Sequence, residues 1–470
     1  MRIPPKLESK VMDPEDVFKK ILKNKKSIAF GGMGGQSVPK IIPLIFKEHP
    51  QYFKGIQVYS GGGMTKSFDD AMRNIEISRR FYYLSDKKSR DDVNNGKTMM
   101  MDYSVYKYSK LLSLNSMDKI DVAVLEATEV NSKGIILSLS VDATPALCNA
   151  SKKIIIEINR SKPVLTGLHD ITDINSVREH QFKKIISRIG KRELRINQNK
   201  IAAIIYSDGS EESAASYGKP PEEINSIAEN IWCMLDEKIK FKNTMPVQVG
   251  AGSIASSLID KSPFNDLKIW CEIAPARWTE YIGHKIKYIS ASAIYTLQGD
   301  EVYTKKFMEN YLDYSGNIVL RPNYITNSPD IISGLGVIVL QQAIEIDIFG
   351  SANVSHIREN IYNGVGGSID FCSSGKYVAI VMPSTAMNGK ISRIVPMLSC
   401  VDIPRMLVDF VVTEIGIADL RWKDPRERAV EIIKNCVHPN FKDSLLRYMN
   451  YLNAGHLPYN INEIIKWNKN

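Results

Sequence analysis

The chain has 470 residues, 44 % of them hydrophobic and 24 % charged, with a formal net charge of +9 at pH 7. This is the composition of an ordinary globular chain with a large core, in two large domains or about three of ~150 residues. No run of about 18 apolar residues occurs, so no membrane span is expected. The basic surplus is scattered: it suits anionic small molecules, or reflects only a Lys/Ile-rich composition, and does not by itself indicate nucleic acid.

Cys148, Cys233, Cys271, Cys372, Cys400 and Cys436 show no C-x-x-C spacing. They read as reduced, mostly buried thiols of a cytoplasmic protein. The seven histidines form no H-x-x-x-H or Cys/His cluster, so no zinc site is expected. Met1–Pro5 lacks the apolar run of a signal peptide.

Asp13-Pro14-Glu15-Asp16 has the pattern of a helix start. Residues 26–30 then read as a buried strand running into Gly31-Gly32-Met33-Gly34-Gly35 and a helix through Phe46. This is the layout of a βαβ crossover. It fits neither the dinucleotide G-x-G-x-x-G, since the last position from Gly32 is Ser37, nor a P-loop, since G-K-[ST] is absent. Apolar runs at 55–59, 121–127, 153–158 and 201–205 continue the alternation and argue for a parallel α/β sheet.

Small, polar, Pro and Gly residues between 207 and 221 mark a linker. The expected domains are therefore 1–215 and 216–470. A helix over 222–235 places Ile224, Ile227, Ile231 and Leu235 on one face. Strand, glycine loop and helix then recur at 245–254 (Gly250-Ala251-Gly252-Ser253-Ile254), so the halves read as diverged copies of one α/β unit. Residues 266–272 form a strand ending on the carboxylate of Glu272. Further apolar segments lie at 290–295, 317–320, 335–345 and 346–350.

The densest punctuation runs from Phe349 to Arg421. Asn363-Gly364-Val365-Gly366-Gly367-Ser368 is followed by strands at 377–381 and 409–413, the second ending on Glu414. Glycines after apolar strands let backbone amides converge on an anion or a carbonyl oxygen. Read alone, each Gly-Gly pair is equally a tight turn.

These motifs resemble the acetyl-CoA hydrolase/transferase family of class I CoA-transferases, the succinyl-CoA:acetate CoA-transferase type. The likeness spans nearly the whole chain. It is strongest in Thr326-Asn327-Ser328-Pro329, Ala343 to Gly350, Asn363 to Ser368, Ile391 to Met397, Val412 to Arg421 and Cys436-Val437-His438-Pro439. In the first half, Val141-Asp142-Ala143-Thr144-Pro145 and Gly167-Leu168-His169-Asp170 fit.

The resemblance implies two open α/β domains of related topology facing each other across the active site, usually in a homodimer. It implies an acyl-CoA:carboxylate CoA-transferase working through a glutamyl-CoA thioester, or an acetyl-CoA hydrolase on the same site. A non-catalytic CoA-binding protein is the third reading, and a nicotinamide dehydrogenase a distant fourth. No permanently bound cofactor is expected; coenzyme A or acyl-CoA is a substrate, beside a short carboxylic acid.

By position Glu272 is the implied nucleophile, and a strand-end carboxylate suits that role independently. With a reference pKa near ~4.3 it is expected to be ionised at neutral pH without a separate base. Gly250, Ala251 and Gly252, leading into Ser253 and Ile254, match the loop whose central N–H enters the oxyanion hole, where one donor is worth ~3 kcal/mol. Asn327 matches the asparagine on the reacting oxygens. Asn363, Gly366 and Gly367 match the loop at the CoA pantetheine, and Glu414 and Arg188 match residues orienting the acyl or carboxylate group. Two stretches depart from the family pattern. Ile273–Arg277 replaces a glycine-containing turn, which implies a different acyl pocket, and Met387 stands where a lysine commonly contacts CoA phosphate.

Overall fold

The computed structural model describes residues 3–467 apart from 34–36, 63–64, 82–83, 85, 115–118, 174–181, 183, 210–221, 297–298 and 457. Most of the expected linker, and Gly34, Gly35 and Gln36 of the first glycine loop, lie outside the described residues.

Two eight-stranded sheets carry the chain. The first comprises β1 (Ser27–Phe30), β2 (Ile56–Ser60), β3 (Ile77–Phe81), β4 (Met99–Met101), β5 (Ile120–Asn131), β6 (Gly134–Leu137), β7 (Ser151–Asn159) and β8 (Ile201–Ser207). Its order is β4-β3-β2-β1-β5-β7-β8, all parallel, with β6 antiparallel to β5. The second comprises β9 (Pro246–Val249), β10 (Leu267–Trp270), β11 (Ile286–Ala291), β12 (Ile318–Leu320), β13 (Ile338–Gln342), β14 (Tyr377–Val381), β15 (Phe410–Val412) and β16 (Ile417–Asp419). Its order is β12-β11-β10-β9-β13-β14-β15-β16, with only β16 antiparallel.

The seven parallel strands of each sheet follow one rule. The first sits inside the sheet, the next three are added to one side, and the last three to the other. Related topology in the two halves is thus visible in strand order, although the sequence offered one glycine loop as its signal.

The strands read as continuous apolar runs because both faces are covered. Ile154, Ile155, Ile156 and Ile158 of β7 are all fully buried, as are Ile338, Val339 and Leu340 of β13. The helix Glu222–Met234 buries Ile224, Ile227 and Ile231 as its periodicity requires.

The halves are stitched by backbone. Val141 N–H donates to Ser292 O at 2.9 Å, Ile294 N–H to Leu139 O at 2.8 Å, Asp170 N–H to Leu320 O at 2.8 Å and Leu320 N–H to Leu168 O at 2.9 Å. Arg321, fully buried, pairs with Asp170 beside this seam. These contacts bring first-half segments against the carboxyl edge of the second sheet.

Candidate active site

In the second sheet the direction of strand addition reverses at β9. In open α/β sheets such a switch point, at the carboxyl ends of the strands, is where ligands bind. Three strands deliver residues to that edge: β9 leads into Gly250–Gly252, β10 into Glu272, and β13 ends on Gln342.

Glu272 is held from both ends. Its carbonyl accepts from Ser292 N–H at 2.8 Å and Ala293 N–H at 3.2 Å. Its Oε2 accepts from Asn327 Nδ2 at 2.8 Å. Asn327 ends the short helix Asn323–Thr326, and its Oδ1 accepts from Thr326 Oγ1 at 2.8 Å. The carbonyl of Thr326 in turn accepts from Trp270 Nε1 at 2.8 Å, so the strand carrying Glu272 also braces the asparagine.

Gly367 closes over the pair. A Cβ at this position would lie 2.2 Å from Asn327 Nδ2 and 2.3 Å from Glu272 Oε2, so no side chain fits.

Burial pushes the Glu272 carboxyl up to about 7; the Asn327 bond lowers it and the charge of Asp370 raises it further. The sequence-based expectation of full ionisation at neutral pH is thereby corrected. A half-buried carboxylate beside other carboxyls loses solvation, and among the described residues no ion pair joins it to a cation. A less stabilised carboxylate is also a better nucleophile toward a thioester.

Two further carboxyls stand close. Asp370, nearly fully buried, accepts from Tyr106 N–H at 2.9 Å, and burial raises its carboxyl to about 6. Asp142, fully buried with φ +48°, accepts from Asn323 Nδ2 at 2.8 Å through Oδ1. Its Oδ2 has no hydrogen-bond partner among the described residues, and burial, then the charge of Glu272, pushes its carboxyl well above the usual range.

The remaining expected residues fall in three groups. Gly250, Ala251 and Gly252 lie at the switch-point edge. Gly252 has φ +148°, and a Cβ there would meet Gln342 Nε2 at 3.3 Å. Ser253 opens the helix Ser253–Asp260, whereas Ile254 turns its side chain into the core, leaving only its backbone for a ligand. Asn363 bonds the following amide, Gly364 N–H to Oδ1, at 3.0 Å. Gly366 has φ +65° and open space where a Cβ would stand.

Among the described residues, no hydrogen bond joins Glu414 or Arg188 to Glu272. Glu414 accepts from Ser384 through both the N–H, at 2.8 Å, and the hydroxyl. The Arg188 guanidinium donates to the carbonyls of Leu168 and His169, both at 3.1 Å, and of Ser315 and Ile318, both at 2.9 Å. It straps the two halves together, and burial lowers its pKa to about 10.

At the departures, Ile273–Pro275 pairs in parallel with Ala293–Tyr295, which replaces the turn with a short strand. Met387 is 70 % exposed with φ +53°.

Sequence reasoning gave no role to Asp370, Asp142 or Gln342. Asp370 follows the quoted Asn363–Ser368 motif and was not singled out, and Asp142 lay in a motif quoted only for likeness. Gln342 lies within 335–345, a segment read merely as apolar; a strand ending at 342 would have placed it at the edge. Among the described residues, no group of three or more His, Cys, Asp or Glu side chains could hold a metal ion.

Comparison with known proteins bears on the family and the fold. The acetyl-CoA hydrolase/transferase N-terminal domain model matches residues 5–205, and the C-terminal domain model matches 304–449. The chain is 29 % identical to the succinyl-CoA:acetate CoA-transferase of Clostridium kluyveri over 98 % of this chain and 89 % of that protein. It is 32 % identical to the acetyl-CoA hydrolase of Schizosaccharomyces pombe over 93 % of this chain and 90 % of that protein. The crystal structure of RipA from Yersinia pestis shares the fold, with a TM-score of 0.75 at 20 % identity, covering 94 % of this chain and 97 % of that one. With two family models spanning both halves and relatives aligned along nearly its whole length, the chain belongs to the acetyl-CoA hydrolase/transferase family.

Proposed function

We propose that the protein is an acyl-CoA:carboxylate CoA-transferase acting on short acyl groups, with Glu272 as nucleophile. The observation that carries this reading is the Glu272 carboxylate at the switch-point edge, held at 2.8 Å by Asn327 under a glycine that leaves no room for a side chain.

In the forward exchange, a Glu272 oxygen attacks the thioester carbonyl carbon. The C–S bond breaks, CoA leaves as thiolate, and an acyl-glutamyl anhydride remains. The thiolate then attacks the glutamyl carbonyl, releasing the acid as carboxylate and leaving glutamyl-CoA. An acceptor carboxylate attacks that thioester and reverses the sequence, regenerating Glu272. Backbone N–H groups of Gly250–Gly252 are suited to the developing oxyanion, and Asn327 to holding the attacking oxygens. Asn363, Gly366 and Gly367 would line the pantetheine. Glu414 is suited to orienting the acyl or carboxylate group through its bonds to Ser384. Arg188 would act from behind, by holding the halves in register.

Hydrolysis by the same site is the second reading, favoured by relatives that carry the hydrolase name. A coupled assay with acetyl-, propionyl-, butyryl- and succinyl-CoA, each with and without acetate, separates them. The transferase requires acceptor-dependent exchange, whereas acid release without acceptor at the same rate makes the protein a hydrolase. Glu272→Ala should lose several orders of magnitude of activity; near-normal turnover refutes both readings.

We also place the protein in the cytoplasm as a homodimer. Exposed Tyr362, Met397, Met406 and Trp422 on the second half offer apolar area for such an association.

A further inference from the structure

Asp142 stands at a corner of the seam between the halves. The first-half segment ending on it lies along the second half, with Ser140 bridging to Ala293 and Asp142 to Pro322. Two lines of hydrogen bonds run from this corner to Glu272. Along the first, Val141 N–H donates to Ser292 O at 2.9 Å, and Ser292 N–H donates to the Glu272 carbonyl at 2.8 Å. Along the second, Asp142 holds Asn323 twice. Its carbonyl accepts from Asn323 N–H at 3.2 Å, and its Oδ1 accepts from Asn323 Nδ2 at 2.8 Å.

The remaining polar atoms of Asn323 are also engaged. Its Oδ1 accepts from Ser109 Oγ at 2.6 Å, a hydroxyl on the first-half helix Val105–Ser113. Its carbonyl accepts from Asn327 N–H at 2.8 Å, and Asn327 Nδ2 reaches Glu272 Oε2 at 2.8 Å. Asp142, Asn323 and Asn327 are all fully buried.

Asp142 costs the fold stability where it stands. Its φ of +48° lies in the left-handed region. Its Oδ2 has no hydrogen-bond partner among the described residues and presses on Gly61, where a Cβ has no room. Backbone strain and an unanswered buried oxygen both work against folding, and both concentrate at functional sites.

Resting on the reading of Glu272 as nucleophile, we propose that Asp142 is a positioning residue for acyl transfer: from the opposite half it fixes Asn323, and through Asn323 the turn that presents the Asn327 amide to Glu272. Asparagine at 142 keeps the accepting oxygen and tolerates the left-handed backbone, whereas alanine keeps neither. A role in stability alone lowers the folded fraction, and with it the amplitude of a single turnover, but not its rate constant.

The test is rapid-quench formation of the CoA adduct on the Glu272 peptide, with the full chain mixed with saturating acetyl-CoA, for wild type, Asp142→Ala and Asp142→Asn. In Asp142→Ala the rate constant should fall roughly 10- to 100-fold, the effect of a reacting group displaced by up to about 1 Å, with the half-saturating acetyl-CoA concentration within about 3-fold. In Asp142→Asn the rate constant should stay within about 3-fold of wild type, since the bond to Asn323 is kept. A wild-type rate constant in Asp142→Ala, whatever its amplitude, overturns the proposal, and so does an Asp142→Asn as slow as Asp142→Ala. A wild type that forms no adduct on Glu272 overturns the nucleophile assignment and this inference with it. If Asp142→Ala does not fold, Ser109→Ala removes the other first-half hold on Asn323. There the rate constant should fall roughly 3- to 10-fold, and a full rate overturns the proposal.

Discussion

Replacing Gly367 with alanine isolates the geometry of the nucleophile from the stability of the fold. The backbone at Gly367 has φ −85° and ψ 4°, which alanine adopts without strain. Freed of backbone cost, a Gly→Ala change at such a site stabilises by ~0.4–1 kcal/mol through the unfolded chain. The new methyl, however, would sit 2.3 Å from Glu272 Oε2 and 2.2 Å from Asn327 Nδ2. Unstrained contacts between such atoms are roughly 1 Å longer, so the pair must part or the loop must lift by about that much. A displacement of ~1 Å at a reacting group costs about 10²-fold in rate.

Gly367→Ala should therefore reduce kcat/KM for acyl-CoA:acetate exchange by about 100-fold. Its melting temperature should stay within a few degrees of wild type. Gly366→Ala supplies the converse. At φ +65° a side chain strains the backbone, by ~1–2 kcal/mol, but meets nothing within 4 Å. It should lose stability and keep more activity than its neighbour. Exchange by Gly367→Ala within about threefold of wild type would refute the argument, since the site would then have room that the geometry denies it.

Glu272 itself should cost the fold stability in a pH-dependent way. Its folded carboxyl lies above its unfolded value, so the native state holds the proton longer. Below the unfolded pKa near ~4.3 both states are protonated and nothing is lost; the penalty grows toward pH 7 and is complete above it. Glu272→Gln should thus gain up to about 3 kcal/mol at pH 8 and nothing near pH 4. Urea unfolding at both pH values checks this, and an equal gain at both would contradict the cause. Arg188→Ala removes donors to four backbone carbonyls, two on each side of the seam, and should destabilise by ~2–4 kcal/mol in thermal unfolding. The KM for the acceptor acid should change by no more than a few-fold; a large rise in that KM at unchanged stability would return Arg188 to acid orientation.

Much of the sheet architecture was legible because parallel strands buried on both faces are written as apolar runs. Residues 377–381 and 201–207 are of this kind. The edge strand β4 and its neighbour β3 were not, and Ile77–Phe81 contains Arg79 and Arg80. Arg80 is buried with Asp69 at 2.8 Å and the Ser89 hydroxyl at 3.2 Å, pairings that no local pattern announces. The strand at 338–342 was hidden inside a longer apolar segment without punctuation.

At the site, Glu272 and its glycine loops could be read because strand ends and glycines leave local marks. Asp370 and Asp142 could not: each matters through residues more than a hundred positions away, Tyr106 for the first and Asn323 and Glu272 for the second. The raised pKa of Glu272 has the same origin, being set by burial and by Asn327 and Asp370 rather than by its own segment.

The most direct test of the central claim is peptide mapping by mass spectrometry of enzyme mixed with acetyl-CoA in the absence of acceptor. A CoA adduct on the peptide containing Glu272, removed by hydroxylamine or by added acetate, is the result the account predicts. Exchange activity with no adduct, or with the adduct on another carboxylate, would contradict it.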